Sequence, residues 1–327
     1  MNIRHGTFLM QRGETTRPLP PAASGTQTFR AEVVSGLSEL RKSIPAKYLY
    51  DRAGSELFEQ ITQLPEYYPW RCELALLKEA QDELADLLPA HAHLIEYGAG
   101  SLLKVRFLLD AMREPANYVP VDISSEWLLS AGKKLAADYP CLRVRPITGD
   151  FTEPFHIPLP HGPRVAFFPG STLGNFTPVE AVGFLSRVAG HVGHGGALVI
   201  GIDLKKDGDT LWRAYNDAAG ITAAFNRNLL TRINREIGAG FDPMMFRHHA
   251  PYNQRDGRVE MHLVSDCTQA IYVGGRLFCF RQGESIHTEN SYKYTVPDFH
   301  SLVRRAGFVP RKVWTDGLFS VHYLQSA

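Results

Sequence analysis

Residues 93–109, HLIEYGAGSLLKVRFLL, constrain this chain more than any other stretch. An apolar run ends at Ile95, glycines stand at Gly98 and Gly100, and an apolar segment follows. The pattern predicts a buried strand, a glycine turn and a helix over 101–112. Such a junction is where α/β proteins hold a cofactor. Glycine lets the backbone pass close to a ligand, and a helix N-terminus offers unpaired N–H groups.

From His93 onward strand and helix patterns alternate. Strands are predicted at 93–97, 117–122, 142–147, 164–168 and 196–203, with helices at 101–112, 125–138 and 178–192. Regular alternation of this kind implies an α/β fold with a parallel, doubly wound, Rossmann-like sheet. The rhythm then breaks. Helices are expected at 210–218 and 223–237, followed by antiparallel strands at 258–264, 270–273 and 277–282, with Gly274-Gly275 as a turn. It resumes with a helix at 299–306 and strands at 309–315 and 319–325. Ahead of the sheet, residues 30–65 read as helical, Pro65 to Arg71 as an aromatic turn, and 73–88 as one amphipathic helix. This divides the chain into a loose arm (1–28), a second α+β domain made from 29–71 plus 206–293, and the sheet domain, 72–205 plus 294–327.

Charge narrows the partners. Lys+Arg 35 against Asp+Glu 34 leaves a net +1, which argues against a dedicated nucleic-acid surface. Cys72, Cys141, Cys267 and Cys279 are scattered with no CxxC, so they are expected as reduced thiols of a cytoplasmic protein. No apolar run reaches the roughly 18 residues of a membrane span, and the N-terminus lacks the apolar core of a signal peptide. The expectation is a monomer acting on a small molecule, with no metal, nucleic acid or membrane.

Three features decide the cofactor. In Glu96-Tyr97-Gly98-Ala99-Gly100-Ser101-Leu102-Leu103 the third glycine of the dinucleotide fingerprint is replaced by Leu103. Glu96, just ahead of the glycines, suits a cationic ligand better than a pyrophosphate. Asp122 ends the second strand, where a carboxylate can accept from ribose hydroxyls. Gly149-Asp150-Phe151 follows the third, where Asp150 can take an exocyclic amine and Phe151 can stack on an adenine. Together they describe a site for S-adenosylmethionine, which has ribose and adenine, no phosphate, and a sulfonium. The chain has no P-loop, HExxH, GxSxG or Cys/His metal cluster. Methyl transfer needs a neutral nucleophile held in line, so no enzyme nucleophile is expected.

Longer segments carry a resemblance. They include Tyr50-Asp51-Arg52-Ala53-Gly54-Ser55-Glu56-Leu57-Phe58, Leu64-Pro65-Glu66-Tyr67-Tyr68-Pro69 and Phe168-Pro169-Gly170-Ser171-Thr172-Leu173-Gly174-Asn175-Phe176. Further on come Ala214-Tyr215-Asn216-Asp217, Thr222-Ala223-Ala224-Phe225-Asn226, Glu260-Met261-His262-Leu263 and Thr288-Glu289-Asn290-Ser291-Tyr292-Lys293. With these the chain resembles the L-histidine Nα-methyltransferases that make hercynine in ergothioneine biosynthesis.

The resemblance implies a sheet domain that binds S-adenosylmethionine through Glu96, Gly98, Gly100, Lys104, Asp122, Asp150 and Phe151. It also implies a second domain that binds L-histidine. Tyr68 (or its neighbour Tyr67), Asn175 and Tyr215 would hold the amino-acid backbone, Tyr68 positioning it for catalysis. Glu289 and Ser291 would hold the imidazole, and Met261 would line its pocket. An imidazole can donate one N–H to a carboxylate and use its other nitrogen with a hydroxyl. Residues two apart on an extended segment face the same way. The glycine loop departs from the small Ser-rich turn expected of the family, yet keeps both glycines and Lys104. Two other readings are the same fold acting on another amino acid or small amine, and a non-catalytic cofactor-binding module.

Overall fold

The computed structural model of the chain describes residues 25–100, 102–123 and 125–327. Helices α1 (Gly25–Ser38), α2 (Arg52–Thr62), α3 (Tyr68–Glu79) and α4 (Gln81–Leu87) come first. Strand and helix then alternate through β1 (His93–Tyr97), α5 (Leu103–Ala111), β2 (Asn117–Asp122), α6 (Ser125–Asp138), β3 (Arg143–Val144), β4 (Ile147–Thr148), β5 (Arg164–Phe168), α7 (Pro178–Val192) and β6 (Ala197–Asp203). Next are α8 (Gly208–Tyr215), α9 (Ile221–Ile237), β7 (Phe246–His249), β8 (Tyr252–Asn253), β9 (Arg258–Ser265), β10 (Gln269–Val273), β11 (Arg276–Phe280) and β12 (Ser285–Tyr292). The chain closes on α10 (Val296–Arg305), β13 (Phe308–Thr315) and β14 (Phe319–Ser326).

The main sheet runs β13-β14-β6-β5-β1-β2-β3, with β4 also on β2. Strand β1 is parallel to β2 and β5, and β5 to β6, while β14 is antiparallel to β6. Because β1 has β2 on one side and β5 on the other, the winding reverses there. A crevice opens beyond the carboxyl ends of the strands at such a point.

Period two sorts the strand residues into two layers. Leu94, Val165, Phe167 and Val199 pack with Leu76, Leu77 and Leu108 of α3 and α5. Ile95, Phe168, Ile200 and Ile202 pack with Phe184 of α7 and Phe299 of α10. A third core joins Phe29, Val33 and Leu37 of α1 to Phe225, Leu229 and Ile233 of α9 and to Val259, Met261 and Ile286 of the β12-β9-β7 sheet.

The alternating α/β architecture follows the sequence pattern, and several details differ. The strand expected over 142–147 is two short pieces flanking Arg145-Pro146, since proline cannot donate to a ladder. The helix expected over 73–88 starts at Tyr68, with Pro69 in its first turn, and is broken at Ala80. The helix after the glycines begins at Leu103. Residues 246–249 and 285–292 are strands that polar composition concealed. Of the segment read as a loose arm, residues 25–28 open α1, and residues 1–24 lie outside the described residues.

Two buried polar links lock the layers. The Glu73 carboxylate lies 2.5 Å from Lys104 Nζ and accepts the Gly170 N–H at 2.9 Å. Both residues are buried, and the ammonium lies 4.0 Å from the Trp70 ring centroid. Opposite, Gly201 has no room for a side chain, because a Cβ would stand 2.0 Å from Glu73 Oε1. One ion pair thus joins α3, α5 and the turn after β5. In the second link Ser320 Oγ donates to the Ile202 carbonyl at 3.3 Å and meets His322 Nε2 at 2.8 Å. His322 Nδ1 lies 3.2 Å from His300 Nε2. Ser320 therefore accepts from His322, and Nδ1 accepts from His300, which requires a neutral His322 ring.

Removing one partner of a buried pair strands the other charge. Glu73→Ala should lower the urea-unfolding free energy by about 3–5 kcal/mol. Burial pushes the His322 pKa down to about 3, below the ~6.5 of an unfolded histidine. The unfolded chain binds more protons between those values, so this contribution is full above about pH 6.5 and is lost as pH falls. Unfolding followed from pH 7 to pH 4 should show that decline, and His322→Gln should flatten it.

Candidate active site

The crevice at the carboxyl end of the sheet is a long cavity with a deeper pocket beside it. Tyr50, Tyr67, Gly170, Thr172, Asn175 and Glu289 line both, so the two spaces adjoin.

Gly98, Gly100, Lys104, Asp122, Asp150 and Phe151 line the long cavity. Gly98 has φ +71°, a conformation open to glycine at no steric cost, and its α-carbon faces the Phe151 ring. A Cβ there would lie 3.6 Å from Phe151 Cε1. The Gly98 N–H donates to the Val121 carbonyl at 2.9 Å, which brings the glycine turn beside Asp122, the last residue of β2. Asp150 accepts from the Thr152 N–H at 2.9 Å and from Lys47 Nζ at 3.1 Å. Burial alone would raise its carboxyl, but the Thr152 and Lys47 hydrogen bonds hold it below the usual range. These groups fit a ligand with ribose and adenine. They offer an exposed glycine edge, two carboxylates and an aromatic face.

The deeper pocket is lined by Tyr67, Tyr215, Met261, Glu289, Ser291 and Lys293, among others. Glu289 stands directly opposite Met261 in the β12–β9 ladder, just after a bulge at Thr288. Glu289, Ser291 and Lys293 alternate onto one face. Asn175 Nδ2 donates to Glu289 Oε1 at 3.1 Å, and Tyr50 OH reaches the same oxygen at 3.4 Å. Gly174 makes the Asn175 contact possible, since a Cβ on it would lie 2.9 Å from the Tyr292 carbonyl oxygen. Burial pushes the Glu289 carboxyl up to about 7, against the opposing pull of Lys293, Tyr50 and Asn175. Burial also raises the Tyr50 and Tyr67 phenols, which stay protonated as donors.

Beneath the pocket lies a buried cluster around Asp203. Its carboxylate takes Lys206 Nζ at 2.5 Å, Lys293 Nζ at 2.6 Å and the Tyr68 hydroxyl at 2.8 Å. Lys293 Nζ also donates to Tyr215 OH at 2.9 Å and Ser291 Oγ at 2.8 Å. Tyr215 OH donates to Ser291 Oγ at 2.7 Å.

Two residues read from the sequence as site residues stand elsewhere. Tyr68, expected at the substrate, is committed to Asp203 and Lys206, and Tyr67 faces the cavity instead. Tyr68 is the first residue of α3 and Tyr67 precedes it, so their side chains diverge by about a third of a turn. Glu96 lines neither space. By strand alternation it shares the Leu94 face, and its fully buried carboxyl accepts from Tyr118 OH, with its pKa pushed up to about 8 by burial. Tyr50, Asp203 and Lys293 were not picked out. Asp203 ends a strand as Asp122 does, and Lys293 stands two residues beyond Ser291, so both signals were present in the sequence.

Among the described residues no group of three or more His, Cys, Asp or Glu is placed to hold a metal, and no helix is long and apolar enough to cross a membrane.

Comparison with known proteins agrees with this geometry. Residues 29–326 match the family described as histidine-specific methyltransferase, SAM-dependent, where SAM is S-adenosylmethionine. The chain is 41% identical over 302 residues to the histidine N-alpha-methyltransferase of Mycolicibacterium smegmatis, covering 90% of this chain and 93% of that one. To the protein of the same name from Mycobacterium tuberculosis it is 40% identical over 300 residues, covering 90% and 92%. It is also 29% identical over 289 residues to ergothioneine biosynthesis protein 1 of Neurospora crassa, covering 84% of this chain and 32% of that one. With a glycine-edged cofactor crevice opening onto a polar pocket, and a match over nearly its whole length, the chain belongs to the S-adenosylmethionine-dependent, histidine-specific methyltransferase family.

Proposed function

We propose that this protein moves methyl groups from S-adenosylmethionine to the α-amine of L-histidine in three successive transfers. The product is hercynine, and the reaction is the first step of ergothioneine biosynthesis. The observation that carries this reading is the continuity of the two spaces. Asn175, Tyr50 and Tyr67 stand where the glycine-edged cavity meets the pocket of Glu289 and Ser291.

Bound S-adenosylmethionine supplies an electrophilic methyl group on a sulfonium. Gly98 and Gly100 would let it approach the backbone, Asp122 would accept from its ribose, and Asp150 and Phe151 would hold its adenine. Glu289 would accept one imidazole N–H while Ser291 meets the other ring nitrogen, with Met261 as the apolar wall. Tyr67, in place of Tyr68, would hold the amino-acid backbone with Asn175 and Tyr215. The amine must shed its proton before each attack, because an ammonium has no lone pair. Holding it in line then supplies several kcal/mol of the barrier. Tyr67 and Phe176, both on the cavity wall, would face the growing trimethylammonium group, a cation–π contact of about 0.5–2 kcal/mol.

The division of labour follows the cores. Residues 29–71 with 206–293 would form the substrate-binding unit, supported by their own hydrophobic core. Residues 72–205 with 294–327 would bind the cofactor. The four free cysteines support a reducing, cytoplasmic setting.

Incubation with isotope-labelled S-adenosylmethionine and L-histidine should give products carrying one, two and three labelled methyl groups by mass spectrometry. No transfer to histidine would overturn the reading. Glu289→Ala should lower kcat/KM for histidine roughly 5- to 150-fold, the cost of about 1–3 kcal/mol for leaving a buried hydrogen-bonding partner unsatisfied. Any turnover of an apolar amino acid should change much less, and equal losses would remove Glu289 from the imidazole pocket.

A further inference from the structure

Lys293 is 2% exposed, and its ammonium is fully engaged by Asp203, Tyr215 and Ser291. Asp203 is shared with a second buried ammonium, Lys206, which also donates to Tyr68 OH at 2.6 Å and to the Leu204 carbonyl at 2.5 Å. Two lysines thus meet one carboxylate; burial lowers the Lys206 pKa, and with both ammonium groups protonated the cluster carries one surplus positive charge. Glu289 is the other carboxyl whose field reaches Lys293, but its hydrogen bonds come from Tyr50 and Asn175, and burial holds its proton on to about pH 7. An uncompensated buried charge is unfavourable unless an anion completes it. Asp203, Lys293, Tyr215 and Ser291 all line the pocket, with the Asp203 oxygens already taken by Tyr68, Lys206 and Lys293.

We propose that Lys293 is a positioning residue for the substrate carboxylate, its ammonium acting through Tyr215 to complete a site for one monovalent anion. The proposal rests on the amino-acid reading above. Tyr215 OH accepts from Lys293, so its own proton points away from the ammonium. That proton now lies toward Ser291 and can turn to a carboxylate in the pocket, where the neighbouring positive charge strengthens the bond. The cluster would thereby favour a free α-carboxylate over an amide or an unsubstituted amine, independently of how the imidazole is held.

The test compares L-histidine with L-histidinamide. Both carry the imidazole and the amine, and only histidine carries the carboxylate. Binding is titrated calorimetrically in the presence of S-adenosylhomocysteine, and KM and kcat are measured for both. The wild type should prefer histidine. Lys293→Met should raise the histidine KM roughly 10- to 100-fold, leave histidinamide little changed, and so collapse the preference. Lys293→Arg should recover much of it. Lys206→Met leaves Asp203 paired with Lys293 and removes the surplus charge, so it should cause the same selective loss in smaller size. It serves as the deciding variant if Lys293→Met no longer binds S-adenosylhomocysteine. Equal losses for both ligands would overturn the inference alone, marking a structural role. A wild type that binds neither ligand would overturn the histidine reading and this inference with it.

Discussion

The carboxylate of Asp203 is the point at which the two halves of the molecule meet. It ends β6, is fully buried, and draws Tyr68 from α3, Lys206 from the strand's own continuation and Lys293 from the end of β12. Its backbone is held as well, since its N–H donates to Ser171 Oγ at 2.9 Å and its carbonyl accepts from the Tyr294 N–H at 3.2 Å. Ser171 adopts φ +56°, a conformation that costs a non-glycine residue energy and persists where surrounding contacts enforce it. A parallel sheet therefore hands its carboxyl-end geometry directly to the antiparallel sheet that builds the deeper pocket.

The pocket is shaped by a defect in that second sheet. The bulge at Thr288 lets Glu289 face Met261. Thr288 Oγ1 is held in place 2.7 Å from Asn226 Oδ1, to which it donates, and 3.1 Å from the Met261 carbonyl. Asn226 in turn lies 3.0 Å from His248 Nδ1, whose Nε2 is 2.8 Å from the Tyr215 carbonyl. The bulge and the backbone of Tyr215 thus belong to one hydrogen-bonded chain. Polar residues at 226, 248 and 288 do structural work that keeps Glu289 aimed.

Much of this was legible in the residues. The glycine pair, Asp122 and the Asp150-Phe151 turn converge on one cavity because each stands at the carboxyl end of a parallel strand, a placement that period-two and β-α alternation already imply. Glu289 and Ser291 share a face for the same reason. Tyr68 and Glu96 were misplaced because their side-chain direction depends on one step of phase. A one-residue offset at the start of α3 selects Tyr67, and strand parity sends Glu96 into the helix layer. Strands β7 and β12 were obscured by their polar residues, since their partners supply the burial that composition did not announce.

Sequence alone determined the strand–helix alternation of the main sheet and the cofactor class, because backbone periodicity and turn chemistry are local. Tertiary structure decided which tyrosine lines the pocket, that Glu96 is buried away from the cavity, and that Asp203 gathers two lysines beside the pocket. Those depend on distances between residues far apart in the chain, and on desolvation, which no local pattern encodes. The glycine turn at residues 98–100 illustrates the division. Its composition announces a ligand, while the placing of Phe151 and Asp122 beside it forms the wall of the cavity it opens onto.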